Sequence, residues 1–226
     1  GDTKPWFIHP AGMMGLVGSL KKITTCDCES LYADKFKVTK YGQNNPVYGP
    51  VYWGEMTLYS YPRWNDLITN GHITESERII LVAMSDNEGN LDSIQSYDSE
   101  VITVGAMQKT VKDEDGFEGQ GELSAQLAKF RDLHSELYEN HMLNCGWSVE
   151  GSGSSAILYY SDISLTNGDK ITSTNLKNLI RMGCNENTYR HFVHNKPLAS
   201  LLKVITLPEY LDIQIVDFIQ RLNDAE

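Results

Sequence analysis

Apolar residues recur along this chain at spacings that predict four helices. Thr74-Glu75-Ser76-Glu77 has the Thr-x-x-Glu form of a capping box, and Ile79, Ile80, Val82, Ala83 and Met84 follow with hardly a polar break. That combination predicts a buried helix over residues 75–86. In "GELSAQLAKFRDLHSELYENHML" (121–143), Leu123, Leu127, Phe130, Leu137 and His141 fall close to one helical face, which predicts a second. "TSTNLKNLIRMG" (172–183) reads as a third, closed by Gly183 as its C-terminal cap. The last is "PEYLDIQIVDFIQRL" (208–222), with Pro208 in its first turn and Leu211, Ile215, Phe218 and Leu222 as an inward stripe. Between the second and third, "CGWSVEGSGSSAILYYSD" sets Gly and Ser between β-forming residues, the pattern of a hairpin or of a mobile loop.

The first part of the chain reads differently. "YGQNNPVYGPVYWGEMTLYSYP" (41–62) is rich in Gly, Pro and Tyr, which predicts loops and short strands in place of long helices. Two parts are therefore expected: a loop-rich wrap or accessory segment over residues 1–62, and a helical domain over 63–226. The expected fold class is mainly α, within α+β, with a small β-hairpin and loop region.

Composition narrows the functional classes. The chain has 226 residues, 41% of them hydrophobic, enough to bury a real core. Its net charge of −11 argues against sequence-independent nucleic-acid binding, which is carried by Lys and Arg, and against docking on an anionic membrane. No run of about 18 apolar residues is present to span a bilayer. Residues 1–20 lack the basic start and small-residue cleavage site of a signal peptide, and a chain beginning Gly1-Asp2-Thr3 reads as a fragment or a processed chain. Cys26 and Cys28 are spaced too closely for a zinc knuckle, and Cys145 and Cys184 stand alone, so structural or free thiols are expected and no metal or cofactor. His191 and His194, the one histidine pair at helical spacing, are assigned to a surface helix.

The segment "SDNEGNLDSIQSYDSEVITVGAMQ" (85–108) carries the candidate chemistry. Its simplest reading is a solvated acidic loop, with Asp86 and Asp92 as solvated or capping residues. Glu88, however, stands just past an almost wholly apolar helix, and a carboxyl group held against apolar neighbours stays protonated to higher pH and can donate a proton. Glycoside cleavage needs such an acid and, in most families, a second carboxylate that stays ionised. Asp98 and Glu100 lie ten and twelve residues further on, beyond a short loop able to fold back. Trp53, Trp64 and Trp147 are candidates either for stacking on sugar rings or for the core.

The pattern Glu88-Gly89, Tyr97-Asp98 and Gly105-Ala106-Met107-Gln108 resembles the goose-type lysozyme and lytic transglycosylase superfamily, in which a catalytic Glu ending a helix is followed by Gly-x-x-Gln. With "GQGELSAQLAKF" and "PWFIHPAGMMG" added, the chain is similar to lysozyme-like toxin domains of type VI secretion effectors. The resemblance implies a lysozyme-like helical domain with Glu88 as general acid, and Tyr97, Gly105 and Gln108 lining a sugar groove. Asp98 or Glu100 would assist in hydrolysis; lytic transglycosylases manage without a second carboxylate. It further implies peptidoglycan glycan strands as substrate, injection by a secretion apparatus, action in the target cell's periplasm and a cognate immunity protein. Two readings of other classes remain open: a non-catalytic glycan-binding module, and an adaptor whose contact surface is "WFIHPAGMMGLVG".

Overall fold

The structure, a computed structural model, describes Cys26 and residues 31–224, without the side chains of residues 85–87. The stretch "WFIHPAGMMGLVG", Cys28 and the side chain of Asp86 lie outside the described residues.

Two strands open the described chain, β1 (Phe36–Tyr41) and β2 (Val47–Tyr52), followed by helices α1 (Trp64–Thr69) and α2 (Glu75–Glu88). Next come β3 (Ile94–Gln95), β4 (Ile102–Val104) and β5 (Lys109–Val111), then α3 (Glu122–Leu133) and α4 (Ser135–His141). A hairpin of β6 (Trp147–Glu150) and β7 (Ile157–Tyr160) precedes α5 (Ser173–Ile180), β8 (Phe192–Val193), α6 (Lys196–Ile205) and α7 (Pro208–Asn223).

The architecture is α+β, with 42% helix and 16% strand, and this corrects the mainly helical, lysozyme-like expectation. Its β component exceeds a small hairpin: six antiparallel strands form one sheet in the order β5-β4-β3-β2-β1-β8, beside the separate β6-β7 hairpin. The sheet escapes a reading of local pattern because four of its strands are only two or three residues long. Its edge strand β8 also pairs with β1 across most of the chain, Phe36 opposite Val193 and Lys37 opposite Phe192. Residues 36–52, from the stretch read as a wrap, supply two inner strands of this sheet.

The helices follow their sequence signals with informative departures. The capping box of α2 forms: the Glu77 N–H donates to Thr74 Oγ1 at 3.2 Å, and the Thr74 N–H donates to Glu77 Oε2 at 2.6 Å. The helix is not buried, however, since among its described side chains only Leu81 is fully covered while Ile79 and Ile80 are 56% and 50% exposed. The helix expected over 121–143 is two, because His134 leaves the helical region at φ −136°, ψ 58°. His191 and His194 flank strand β8 and do not share a helix. Two helices were not anticipated, α1 and α6. α6 is almost wholly buried, its start marked by Asn195, whose Oδ1 accepts the Leu198 N–H at 3.0 Å, and by Pro197 in the first turn.

Two apolar clusters hold these elements. In the larger, Phe36, Ile94, Ile102, Val104 and Val111 from one sheet face meet Leu123, Leu127, Phe130, Leu201 and Tyr210. The smaller joins Leu58, Trp64, Leu67, Leu81, Leu91 and Ala106 to Leu211, Ile215, Phe218 and Ile219. α7 serves both, and each fully buried Leu or Ile contributes roughly 1.5–3 kcal/mol. Cys26 and Cys145 form a disulfide, and Cys184 is a free, half-buried thiol that burial pushes up to about 11.

Candidate functional site

Glu88 is the last residue of α2, half-buried, and the chain leaves the helix through Gly89 at φ +79°. The turn Gly105-Ala106-Met107-Gln108 joins β4 to β5 where Val104 pairs with Lys109. Gly105 at φ +79° and Gln108 at φ +51° both adopt the left-handed region, and the Gln108 N–H donates to the Gly105 carbonyl at 3.1 Å. This tight turn presents Met107 and Gln108 to the end of α2. A cavity of about 390 Å³ lies between them, lined by Met84, Glu88, Met107, Gln108, Phe218, Arg221 and Leu222. Its volume falls within the range of small-molecule and oligomer sites, and its walls combine apolar surface with a carboxyl, an amide and a guanidinium.

Arg221 was not anticipated. Its signal is positional: it stands three residues after Phe218, which brings both to one face of α7 and to the same cavity.

Gly105 serves packing and does not line the cavity. It is buried, its N–H donates to Ser93 O at 3.0 Å, and a Cβ there would lie 2.2 Å from Gln214 Oε1. Gln214 in turn donates through Nε2 to Leu91 O at 3.0 Å. A bare backbone at position 105 thus lets the turn approach α7 closely enough for Met107 and Gln108 to face Glu88.

Asp98 and Glu100 do not line this cavity either. They belong to the β3–β4 turn, whereas Gln108 belongs to the β4–β5 turn. From Val101 to Gly105 the extended chain covers about 13 Å at 3.3 Å per residue, so the two turns stand at opposite ends of β4. Asp98 Oδ1 accepts the Glu100 N–H at 3.0 Å, and Arg181 Nη2 donates to the carbonyls of Asp98 and Glu100 at 2.6 and 3.0 Å. Burial first, and then the neighbouring Asp98 charge, raise the Glu100 carboxyl above its ordinary range. Burial lowers the guanidinium of Arg181, which Asp98 and Asp113 partly offset. Arg181 thus clamps the β3–β4 turn. Tyr97, in the same turn, packs edge-on to Tyr41 and Trp53 with ring centroids 6.3 and 6.1 Å away.

Asp92 is neither solvated nor a helix cap. It is buried, its Oδ1 accepting the Glu55 and Met56 N–H groups at 2.9 and 2.8 Å, and so it holds the loop after β2. Burial, followed by the Asp92 charge, pushes the Tyr52 phenol up to about 12. The three tryptophans divide: Trp64 and Trp147 are core, whereas Trp53 is 57% exposed.

Among the described residues, no group of three or more His, Cys, Asp or Glu is placed to hold a metal ion, and no helix is long and apolar enough to cross a membrane. Compared with family models, curated proteins and solved structures, the chain matches none significantly.

Proposed function

We propose that this chain cleaves the glycan strand of peptidoglycan, with Glu88 delivering a proton to the glycosidic oxygen. The observation that carries this reading is that Glu88 and Gln108, twenty positions apart in sequence, meet at one cleft with apolar walls. Met84, Met107, Phe218 and Leu222 give part of the cleft an apolar lining against which the C–H face of a sugar ring can pack beside the Glu88 carboxyl. Gln108 has both an amide donor and a carbonyl acceptor for sugar hydroxyl and N-acetyl groups. Arg221, at the same cleft, adds a cation that can pair with the carboxylates of peptide stems.

Hydrolysis by an N-acetylmuramidase ends in a reducing muramic acid. The place of Asp98 and Glu100 at the far end of β4 favours a second chemistry, lytic transglycosylation, in which the sugar's own 6-hydroxyl closes on the anomeric carbon and no second carboxylate is needed. The Cys26–Cys145 disulfide supports action in an oxidising compartment such as a target cell's periplasm, because cytosolic thiols are kept reduced. Delivery by a secretion apparatus and an immunity protein that blocks the cleft belong to the same reading.

The test is Glu88→Gln on purified peptidoglycan. General acid catalysis is worth about 10²–10⁴-fold, so clearing should fall by that factor while circular dichroism and melting temperature stay those of the parent. Undiminished clearing by the folded variant removes Glu88 from the chemistry. Mass spectrometry of the released ends then separates reducing from 1,6-anhydro products.

A further inference from the structure

In a chain with 30 acidic residues against 19 basic ones, cations find carboxylates readily: Lys109, Lys129, Lys170, Lys177 and Lys196 each pair with an aspartate or glutamate. Lys37, Lys40 and Arg190 depart from this. Among the described residues none of the three meets a carboxylate, and each lies over an aromatic ring instead. Lys37 Nζ stands 5.9 Å from the centre of the Phe192 ring, and Lys40 Nζ and the Arg190 guanidinium stand 5.2 and 5.0 Å from that of Tyr189. Tyr189 is itself placed by Tyr48, opposite Lys40 on β2, which meets it edge-on with centroids 6.1 Å apart. Asp34, just before β1, is taken by His194, whose Nδ1 lies 2.8 Å from its Oδ1.

Sheet topology gathers the three cations. β8 is an edge strand and covers β1 only at its start, with Phe36 opposite Val193 and Lys37 opposite Phe192. Val38 then faces two residues at once, its N–H donating to His191 O and its carbonyl accepting from the Arg190 N–H, both at 2.9 Å. Two residues against one make a β-bulge, and its first residue, Arg190, has φ +68°. Glycine is the usual occupant of that left-handed position. Lysines on an edge strand keep other sheets from pairing with it, which accounts for Lys37 and Lys40 but not for an exposed arginine in a position that suits glycine. Hydrogen bonding by Arg190, and then the charges of Arg190 and Lys40, lower the Tyr189 phenol against the effect of burial, which marks the positive potential here.

We infer that Lys37, Lys40 and Arg190, with Tyr189 and Phe192, form a docking surface for an acidic segment of a partner protein. A guanidinium pairs with a carboxylate through two parallel hydrogen bonds, and tyrosine, phenylalanine and arginine are enriched where protein interfaces are anchored. Phe192, 67% exposed, supplies the apolar anchor. Extent decides against other anions. The six residues of β1 cover about 20 Å at 3.3 Å per residue, enough for a short acidic segment. A nucleic-acid strand or an anionic bilayer running beyond it meets a chain of net charge −11. Lys40 and Arg190 also take up the Tyr189 ring on which a base would stack. None of these residues lines the Glu88 cleft, so the docking surface does not rest on glycan cleavage.

The experiment is fluorescence anisotropy of a labelled decaglutamate peptide titrated with the chain in low-salt buffer. The peptide should bind, and added salt should release it. Arg190→Gly keeps the left-handed turn, because glycine adopts it freely, and removes only the side chain. It should melt no lower than the parent and bind about 2- to 5-fold more weakly, the scale of one exposed ion pair. Lys40→Gln should do the same, and the two together should weaken binding about tenfold. Lys170→Gln, whose ammonium already pairs with Glu150, should bind as the parent does. No binding, or Arg190→Gly and Lys40→Gln variants that lose no more than Lys170→Gln, overturns the surface. Tighter binding of a single-stranded oligonucleotide or of phosphatidylserine vesicles, lost in Arg190→Gly, gives the patch to nucleic acid or a bilayer and overturns the protein partner. Self-association in sedimentation that Arg190→Gly removes gives it to a second copy and overturns it equally.

Discussion

Glu100 carries a carboxyl raised by burial and by Asp98, and the sign of that shift sets its effect on stability. A group whose pKa is higher folded than unfolded stabilises the protein while protonated, and the contribution is lost as pH rises through the folded value. Glu100→Gln should therefore melt at a higher temperature than the parent at pH 7, with the gap closing as pH falls below the ordinary glutamate range. Peptidoglycan clearing by the same variant should be unchanged, because Glu100 does not line the Glu88 cleft. A clearing loss like that of Glu88→Gln would return Glu100 to the chemistry. Asp92 teaches the same lesson from the other side. Nothing in "GNLDSI" marks it as buried, yet backbone N–H groups 36 and 37 positions away make it a fixed acceptor. The type of a carboxylate is written in the chain, but its solvent exposure and partners are supplied by segments distant in sequence.

At the scale of elements, the β4–β5 turn is where local pattern and tertiary contact act together. Gly105→Ala would force a side chain into the left-handed region and against Gln214, with its Cβ 2.2 Å from Oε1. Left-handed backbone in a non-glycine residue and a disturbed buried amide together cost about 2–4 kcal/mol. Urea unfolding of Gly105→Ala should shift its midpoint down accordingly with little change in slope, and cleavage should fall because Gln108 moves with the turn. A midpoint equal to the parent's would show that the turn relaxes freely. α2 shows what local pattern does and does not carry. The capping box and apolar run specify helix and starting point, and Glu88 ends it two residues beyond the expected boundary. Its burial was overestimated, since an apolar run states an affinity for contact and the packing of α7 decides which side receives it.

For the whole molecule, the Cys26–Cys145 disulfide closes a separation of 119 residues, and the loop-entropy relation makes that worth up to about 5 kcal/mol. Reduction, or the double variant Cys26→Ser with Cys145→Ser, should lower the melting temperature by many degrees, whereas Cys184→Ser should leave the disulfide's contribution intact. An unchanged melting temperature after confirmed reduction would remove the bond from the fold's stability. Sequence pattern by itself determined that helices lie near residues 75–86, 121–143, 172–183 and 208–222, the Thr74 cap and the β6-β7 hairpin as one of two options, because each depends on side chains a few positions apart, whereas the third helix stops at Ile180 with Arg181 in place of Gly183 as its C-cap. Only the tertiary structure decided the six-stranded sheet, the pairing of Cys26 with Cys145, the arrival of Arg221 at the Glu88 cleft, the separation of Asp98 and Glu100 from that cleft, and the packing of Tyr97 against Tyr41 and Trp53. Those features join residues tens to more than a hundred positions apart, and strands of two or three residues carry too little periodicity to announce their partners.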